Sequence, residues 1–288
     1  MIGTLCIIGV GLIGGSVARA ARSAGLCREI VGVGRSRAEL EKAVALGVID
    51  RFEQDPARAA ATADVIMLAV PLGAMEPVLR AIAPAVRAQT IVTDAGSAKG
   101  SVVAAARAAF GRLPPHFVPG HPIAGTEKSG VEASFATLFQ GRKVILTPEP
   151  ETSPSALARV QALWQRLGGE VVTMSVERHD TILAATSHLP HVLAYVLVDE
   201  LARLEEHADI FRFAAGGFKD FTRIASSDPI VWRDICLANR QALVEAVDRY
   251  LEALAALRGR IAAADSEVLL EVFERAKRAR ERACGPQN

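Results

Sequence analysis

The chain is poor in the features that mark a specialised surface. Aromatic residues make up only 5% of its 288 positions, and 33 basic against 32 acidic residues leave a formal net charge of +1. That balance excludes a general field for nucleic acid, and the scarcity of aromatics excludes a stacking platform for bases. Cys6, Cys27, Cys236 and Cys284 form no CxxC pair and no metal-like spacing, so they are expected as reduced thiols. Gly, Pro or charge interrupts every apolar run before the ~18 residues that span a bilayer. The apolar N-terminus lacks both a basic leader and a small-residue cleavage site. The expectation is a soluble, cytoplasmic protein with no nucleic-acid or membrane partner.

What the chain does have is aliphatic bulk. Half of it is hydrophobic, mostly Ala, Val, Leu and Ile, which suits helices packed on a parallel sheet, and its length allows two domains. Short Val/Ile-rich runs over 5–8, 30–33, 65–70, 90–93 and 143–147 read as buried strands. Ala-rich amphipathic stretches over 15–24, 37–46, 74–86 and 101–110 lie between them. This alternation predicts a doubly wound, mostly parallel α/β sheet, closed near residue 176 by a helix over 154–167 and a strand over 170–174. Beyond that point helical patterning dominates, and AAGGFKDFTRIASSD (214–228) breaks it as a loop. The charged run 275–282 reads as a solvated helix face, since acids interrupt it.

Gly9-Val10-Gly11-Leu12-Ile13-Gly14 follows the first strand and opens the first helix. Gly9 permits the tight turn, Gly11 lets a pyrophosphate approach the backbone, and Gly14 lets helix and strand pack closely. The helix start offers free N–H groups and the positive end of its dipole to phosphates. Residues 1–176 are therefore expected to form a Rossmann-type dinucleotide-binding domain, and residues 177–288 a helical one. Arg35 stands 35 − 14 = 21 residues after Gly14, followed by Ser36 and Arg37. NAD enzymes place an acid about 20 residues on for the ribose hydroxyls; a guanidinium and a hydroxyl suit a 2′-phosphate better, which favours NADP and leaves NAD open. Val70-Pro71 and Asp94-Ala95-Gly96-Ser97 stand where strands should end, on the ligand side of such a sheet. Ser97 is expected near the nicotinamide, with a helix cap as its competing use.

The densest group of functional side chains is GHPIAGTEKSG, 120–130. Pro122 restrains the backbone of His121, so the imidazole is expected on an ordered loop, with Thr126, Glu127 and Lys128 close behind it. Further along stand His179-Asp180, then Ser187-His188-Leu189-Pro190-His191, Lys219, Arg223 and Trp232-Arg233. His188 and His191 share a helix face, but with no HExxH and no third cluster of ligands a metal is not expected.

Four strings in this order, DAGSAKG, FVPGHPIAGTEKSGVEAS, ATSHLPHVLA and GGFKDFTRIASSDPIVW, resemble the successive motifs of the prephenate and arogenate dehydrogenases of tyrosine biosynthesis. The likeness runs from Gly9 to about Arg240. It implies oxidation of a cyclohexadienyl alcohol by hydride transfer to NAD(P), with the ring carboxylate lost as CO2. His121 would be the base that takes the hydroxyl proton, a task suited to imidazole. Ser97 would orient that base and the substrate hydroxyl, with Thr126 and Glu127 bordering the pocket mouth. The substrate's carboxylates call for cations and donors. Arg223 is the best candidate for one because its planar fork binds bidentately, with His191 at the side-chain end, His179 nearby and Lys219 weaker. An ion pair with Asp220 or Asp228 is the plain alternative for Arg223, and core or subunit interface is the expected place of Trp232.

The resemblance also implies a homodimer through the helical domain, to which the Ala- and Leu-rich 235–257 is suited. No chorismate mutase or regulatory domain is visible, so a stand-alone catalytic unit is expected. Two rivals remain: a β-hydroxyacid dehydrogenase, disfavoured because no lysine occurs from Val176 to Arg212, and a non-catalytic module that senses NADP. No residue separates prephenate from arogenate.

Overall fold

The structure, a computed structural model, describes residues 1–205 and 207–285; the side chains of His207 and Cys284 lie outside the described set, and with the latter the expectation for that thiol. Two compact units divide the chain, Met1–Arg240 and Gln241–Asn288.

The first unit is built on six parallel strands: β1 (Ile2–Ile8), β2 (Cys27–Val33), β3 (Arg51–Glu53), β4 (Val65–Leu68), β5 (Ile91–Asp94) and β6 (Phe117–Val118), in the order β3-β2-β1-β4-β5-β6. Helices α1 (Leu12–Ser23), α2 (Arg37–Ala45), α3 (Pro56–Thr62), α4 (Leu72–Ile82) and α5 (Lys99–Phe110) make the crossovers. Successive strand residues face opposite ways, and both faces are covered. Leu5 and Ile7 join Val65, Met67 and Ile91 in one core, while Cys6 and Ile8 join Ile66, Leu68 and Val92 in the other. The register pairs Ile8 with both Val33 and Leu68, and Leu68 with Asp94, so four strands end in one row. The order reverses beside β1, and the crevice at such a reversal is where doubly wound sheets bind ligands.

Two expectations about this half are corrected. The run at 143–147 does not extend the main sheet. It forms β8 (Lys143–Leu146) of a separate sheet, antiparallel to β7 (Gly120–Pro122) and parallel to β9 (Glu170–Thr173), with α6 (Pro154–Arg166) between the latter two. His121 is consequently on a strand rather than a loop: it pairs with Ile145, and Ile123 N–H donates to Lys143 O at 2.8 Å. Pro122 is tolerated because β7 is an edge strand.

The rest of the first unit is helical. α7 (Val176–Leu183), a π-helical segment Ala184–His188 and α8 (Leu189–Ala202) form one continuous helix of 27 residues. Leu189 N–H reaches back to Ala184 O, and Pro190, next in line, has no N–H to give, so the ladder loosens there. By length and composition this helix could cross a membrane, contrary to the expectation that no segment qualifies. Its His179 and Asp180 are bonded to residues of the strand-rich half, which places it within this unit's fold.

α9 (His207–Arg212), α10 (Gly216–Thr222), a 3-10 turn Arg223–Ser226 and α11 (Pro229–Ala238) follow. The predicted loop 214–228 is thus mostly helical. Thr222 donates its hydroxyl to Phe218 O, and Asp228 caps α11 by accepting from Ile230 and Val231. In the second unit, α12 (Arg240–Ala262) and α13 (Ser266–Cys284) leave Val244, Leu251, Leu254, Ile261, Leu270 and Phe273 exposed.

Candidate active site

At the end of β1 the backbone turns through Gly9 with φ +97°, a conformation costly to any side chain. A Cβ on Gly14 would stand 2.0 Å from Gly9 O, whereas one on Gly11 would meet no protein atom within 4 Å. Gly14 is therefore required by packing, and the space over Gly11 is left open by the protein. α1 starts at Leu12 and Ile13 with Gly11 as N-cap, no side-chain cap and no acid in its first turn. This cradle fits a dinucleotide pyrophosphate.

Past β2, Arg35 is exposed, and its guanidinium is unpaired among the described residues. Ser36 accepts from Glu39 N–H as N-cap of α2, and Arg37 pairs with Glu41 at 2.7 Å. Only the first of the three cationic or hydroxyl groups is uncommitted. Val70 and Pro71 follow β4, Pro71 as the N-cap of α4.

Ser97, half-buried after β5, does not cap α5; that position belongs to Ala98. Asp180 does the work from α7 instead, accepting from Lys99 N–H and Gly100 N–H at 2.8 Å each. The competing use of Ser97 is thus removed, and its hydroxyl makes no hydrogen bond within the described protein.

Beneath this turn lies a fully buried ion pair, Asp94 with Lys99. Burial pulls the Lys99 pKa down, against the pull of Asp94. Lys99 Nζ also donates to Gly120 O (2.7 Å), and Gly120 N–H donates to Asp94 Oδ1 (3.0 Å). Both polar backbone atoms of Gly120 are thereby fixed, and with them the start of His121. Sequence reasoning missed this pair. Its signal was present, since Lys99 shares the apolar helix face of Val102, Val103 and Ala106.

His121 is 9% exposed, and its Nδ1 lies 2.9 Å from Nε2 of His179, which is fully buried; His179 Nδ1 lies 2.7 Å from Asp180 Oδ1. Both ring nitrogens of His179 are thus taken. It is expected beside the substrate, and the structure sets it between His121 and Asp180. Burial first, then the neighbouring His179 and Lys99, put the His121 pKa well below 6.5. Burial also lowers His179, with Asp180 opposing. Burial works against charge on Asp180, but bonds from His179, Lys99 and Gly100 outweigh it and lower its pKa. Alongside, buried His188 has its pKa lowered to about 4 by desolvation; Asn239 Nδ2 is 3.1 Å from its Nδ1 and donates to Asp180 O at 2.8 Å.

His191 is anchored differently. Its Nδ1 bonds Ser187 O at 2.9 Å, and its ring stacks on Trp232 with centroids 3.5 Å apart and an angle of 17°. Trp232 therefore serves His191, a partner the sequence did not suggest. Burial lowers the His191 pKa against the opposing bond to Ser187 O, and the Arg223 charge lowers it further. Arg223 itself is exposed and pairs with Glu127 at 3.3 Å, not with Asp220 or Asp228. Thr126 is exposed and accepts from Lys128 N–H. Lys219 is exposed on α10 with no partner among the described residues. No group of three His, Cys, Asp or Glu side chains among the described residues is placed to hold a metal.

Residues 17–173 match the family described as prephenate dehydrogenase, nucleotide-binding domain, and residues 175–275 match its dimerization domain. A cyclohexadienyl dehydrogenase of Zymomonas mobilis is 41% identical over 281 residues, covering 96% of this chain and 94% of that protein. Prephenate dehydrogenase of Aquifex aeolicus, solved with hydroxyphenyl propionate and NAD+, superposes with a TM-score of 0.93 at 38% identity, covering 98% of this chain and 99% of that one. Synechocystis arogenate dehydrogenase gives 0.81 at 28% identity, covering 97% and 99%. A glycine cradle at a sheet reversal, a buried neutral imidazole beyond it, and likeness along both halves lead to one assignment: this chain belongs to the prephenate dehydrogenase family and is a nicotinamide-dependent oxidoreductase.

Proposed function

We propose that the enzyme oxidatively decarboxylates prephenate or arogenate with His121 as the proton acceptor. The observation that carries this is the state of His121: buried, neutral and beyond the carboxyl end of β5, so that it has room for a proton at neutral pH. A bound nicotinamide would supply the acceptor for the hydride of the carbinol carbon. His121 takes the hydroxyl proton as that hydride leaves. The ring carboxylate departs as CO2, its bonding pair aromatises the ring, and His121 returns the proton to the phenolate oxygen. The free hydroxyl of Ser97 hydrogen-bonds the substrate hydroxyl and aims it at His121. Arg223 takes a substrate carboxylate with its fork. His191, stiffened by Trp232, meets the side-chain end with its free Nε2; Thr126, Glu127 and Lys219 line the approach.

Gly9, Gly11, Leu12, Ile13 and Gly14 hold the pyrophosphate, and Val70, Pro71 and Ser97 border the nicotinamide. The unpaired Arg35, aided by Ser36, reaches a 2′-phosphate, which favours NADP over NAD. The division near residue 176 separates cofactor from substrate and dimer functions. A homodimer would cover exposed apolar groups such as Leu251, Leu254, Leu270 and Phe273.

A spectrophotometric assay of prephenate and arogenate, each with NAD and NADP, tests this reading. Reduced nicotinamide should appear with at least one substrate, faster with NADP. No reduction in any combination contradicts the assignment of substrate.

A further inference from the structure

His121 can serve as a base only through the ring nitrogen that carries the lone pair, and neutral imidazole offers that lone pair on either nitrogen. The surroundings make the choice. Asp180 Oδ1 accepts from Lys99 N–H, and Oδ2 from Gly100 N–H. With its carboxyl held ionised by these bonds it is an acceptor only, so the 2.7 Å contact to His179 Nδ1 requires the hydrogen on that nitrogen. His179 Nε2 is then a lone pair. The 2.9 Å contact from His121 Nδ1 must be made by a hydrogen of His121. The remaining nitrogen, His121 Nε2, has no partner among the described residues and is not sealed from solvent.

From this chain of donors and acceptors we propose that Asp180 and His179 are positioning residues that fix His121 as the Nδ1–H tautomer and so present its Nε2 lone pair to the substrate. The inference rests on His121 being the base. The dyad also spans the molecule's two halves: Asp180 caps α5 of the sheet domain, and Asn239 of the helical part donates to Asp180 O while bonding His188. The same logic operates where a buried aspartate orients a catalytic histidine, and there the amide substitution leaves geometry intact but supplies the wrong tautomer.

The test is ring ¹⁵N spectroscopy on histidine-labelled full-length enzyme, with His121→Asn used to assign the His121 signals. Wild type should carry hydrogen on His121 Nδ1. In Asp180→Ala no acceptor remains for a hydrogen on His179 Nδ1, so neither ring is held to one tautomer and hydrogen should appear on His121 Nε2. Alongside, kcat should fall by about tenfold or more, with KM and cofactor Kd changed by less than about threefold. Wild-type His121 with hydrogen on Nε2 overturns the proposal. So does a slowed Asp180→Ala enzyme whose His121 tautomer is unchanged, since that is a structural effect only. Should Asp180→Ala not fold, the wild-type spectrum decides alone. If His121→Asn keeps full turnover, the base assignment itself has failed, whatever the tautomer; if His121→Asn is inactive and Asp180→Ala is not, the dyad alone has failed.

Discussion

His121 Nδ1 lies 2.9 Å from His179 Nε2, so an imidazole on an edge strand touches one on the long helix that follows the sheet domain. Burial disfavours charge on both, and the His179 ring disfavours it further on His121. The reactive form is the unprotonated one, present above the His121 pKa. Catalytic efficiency should therefore be level across neutral pH and fall only on the acid side, well below 6.5. A pH–rate profile that already declines near 6.5 would show an ordinary, solvated imidazole.

The same burial predicts acid sensitivity of the fold. His188 has its pKa lowered to about 4 in the native state, against 6.5 when unfolded. Between those values the unfolded chain binds more protons, so stability is lost as pH falls through 6.5 and the loss levels off below about 4. His188 alone contributes about 3 kcal/mol to this loss, and His121 and His179 act in the same direction. Thermal unfolding measured across that range should show a falling midpoint. A midpoint flat down to pH 4 would contradict the buried, neutral imidazoles.

Glu127 pairs with the guanidinium of Arg223 at 3.3 Å. A substrate carboxylate must displace it, so the two substitutions should act in opposite senses. Arg223→Gln should raise substrate KM by about 10–100-fold, the scale of a lost charge-assisted bond, whereas Glu127→Gln should leave KM unchanged or lower it. Steady-state kinetics distinguishes the two, and a large rise in KM for Glu127→Gln would mean that Glu127 itself holds substrate.

Arg35 is the uncommitted cation at the end of β2, since Arg37 is paired and Ser36 caps a helix. Arg35→Ala should lower kcat/KM with NADP by about tenfold or more and leave NAD nearly unaffected. Equal losses with both cofactors would assign Arg35 a structural role.

Much of this was legible in the amino-acid order. The glycine turn is legible because each glycine answers a local steric demand, as the 2.0 Å approach over Gly14 shows. Buried strands such as β1 and β4 declare themselves as unbroken aliphatic runs. Short elements do not: Arg51–Glu53 and Phe117–Val118 are strands only because neighbours supply their partners. β7 reads as a loop because three residues around a proline carry no periodicity, and its structure comes from β8. The candidate site was partly legible. His121, Ser97, His191 and Arg223 stand out by residue type, but what each one touches depends on contacts between distant segments. That His179 belongs to His121, that Trp232 backs His191, and that Asp180 caps a helix 80 residues away are tertiary facts with no local trace.

The most direct measurement is turnover of His121→Asn beside its affinity for NADP. The account predicts cofactor binding as in wild type, because no residue of the glycine cradle is altered, with kcat reduced by about 10²–10⁴-fold, the usual contribution of a positioned general base. Wild-type turnover in that variant would contradict it.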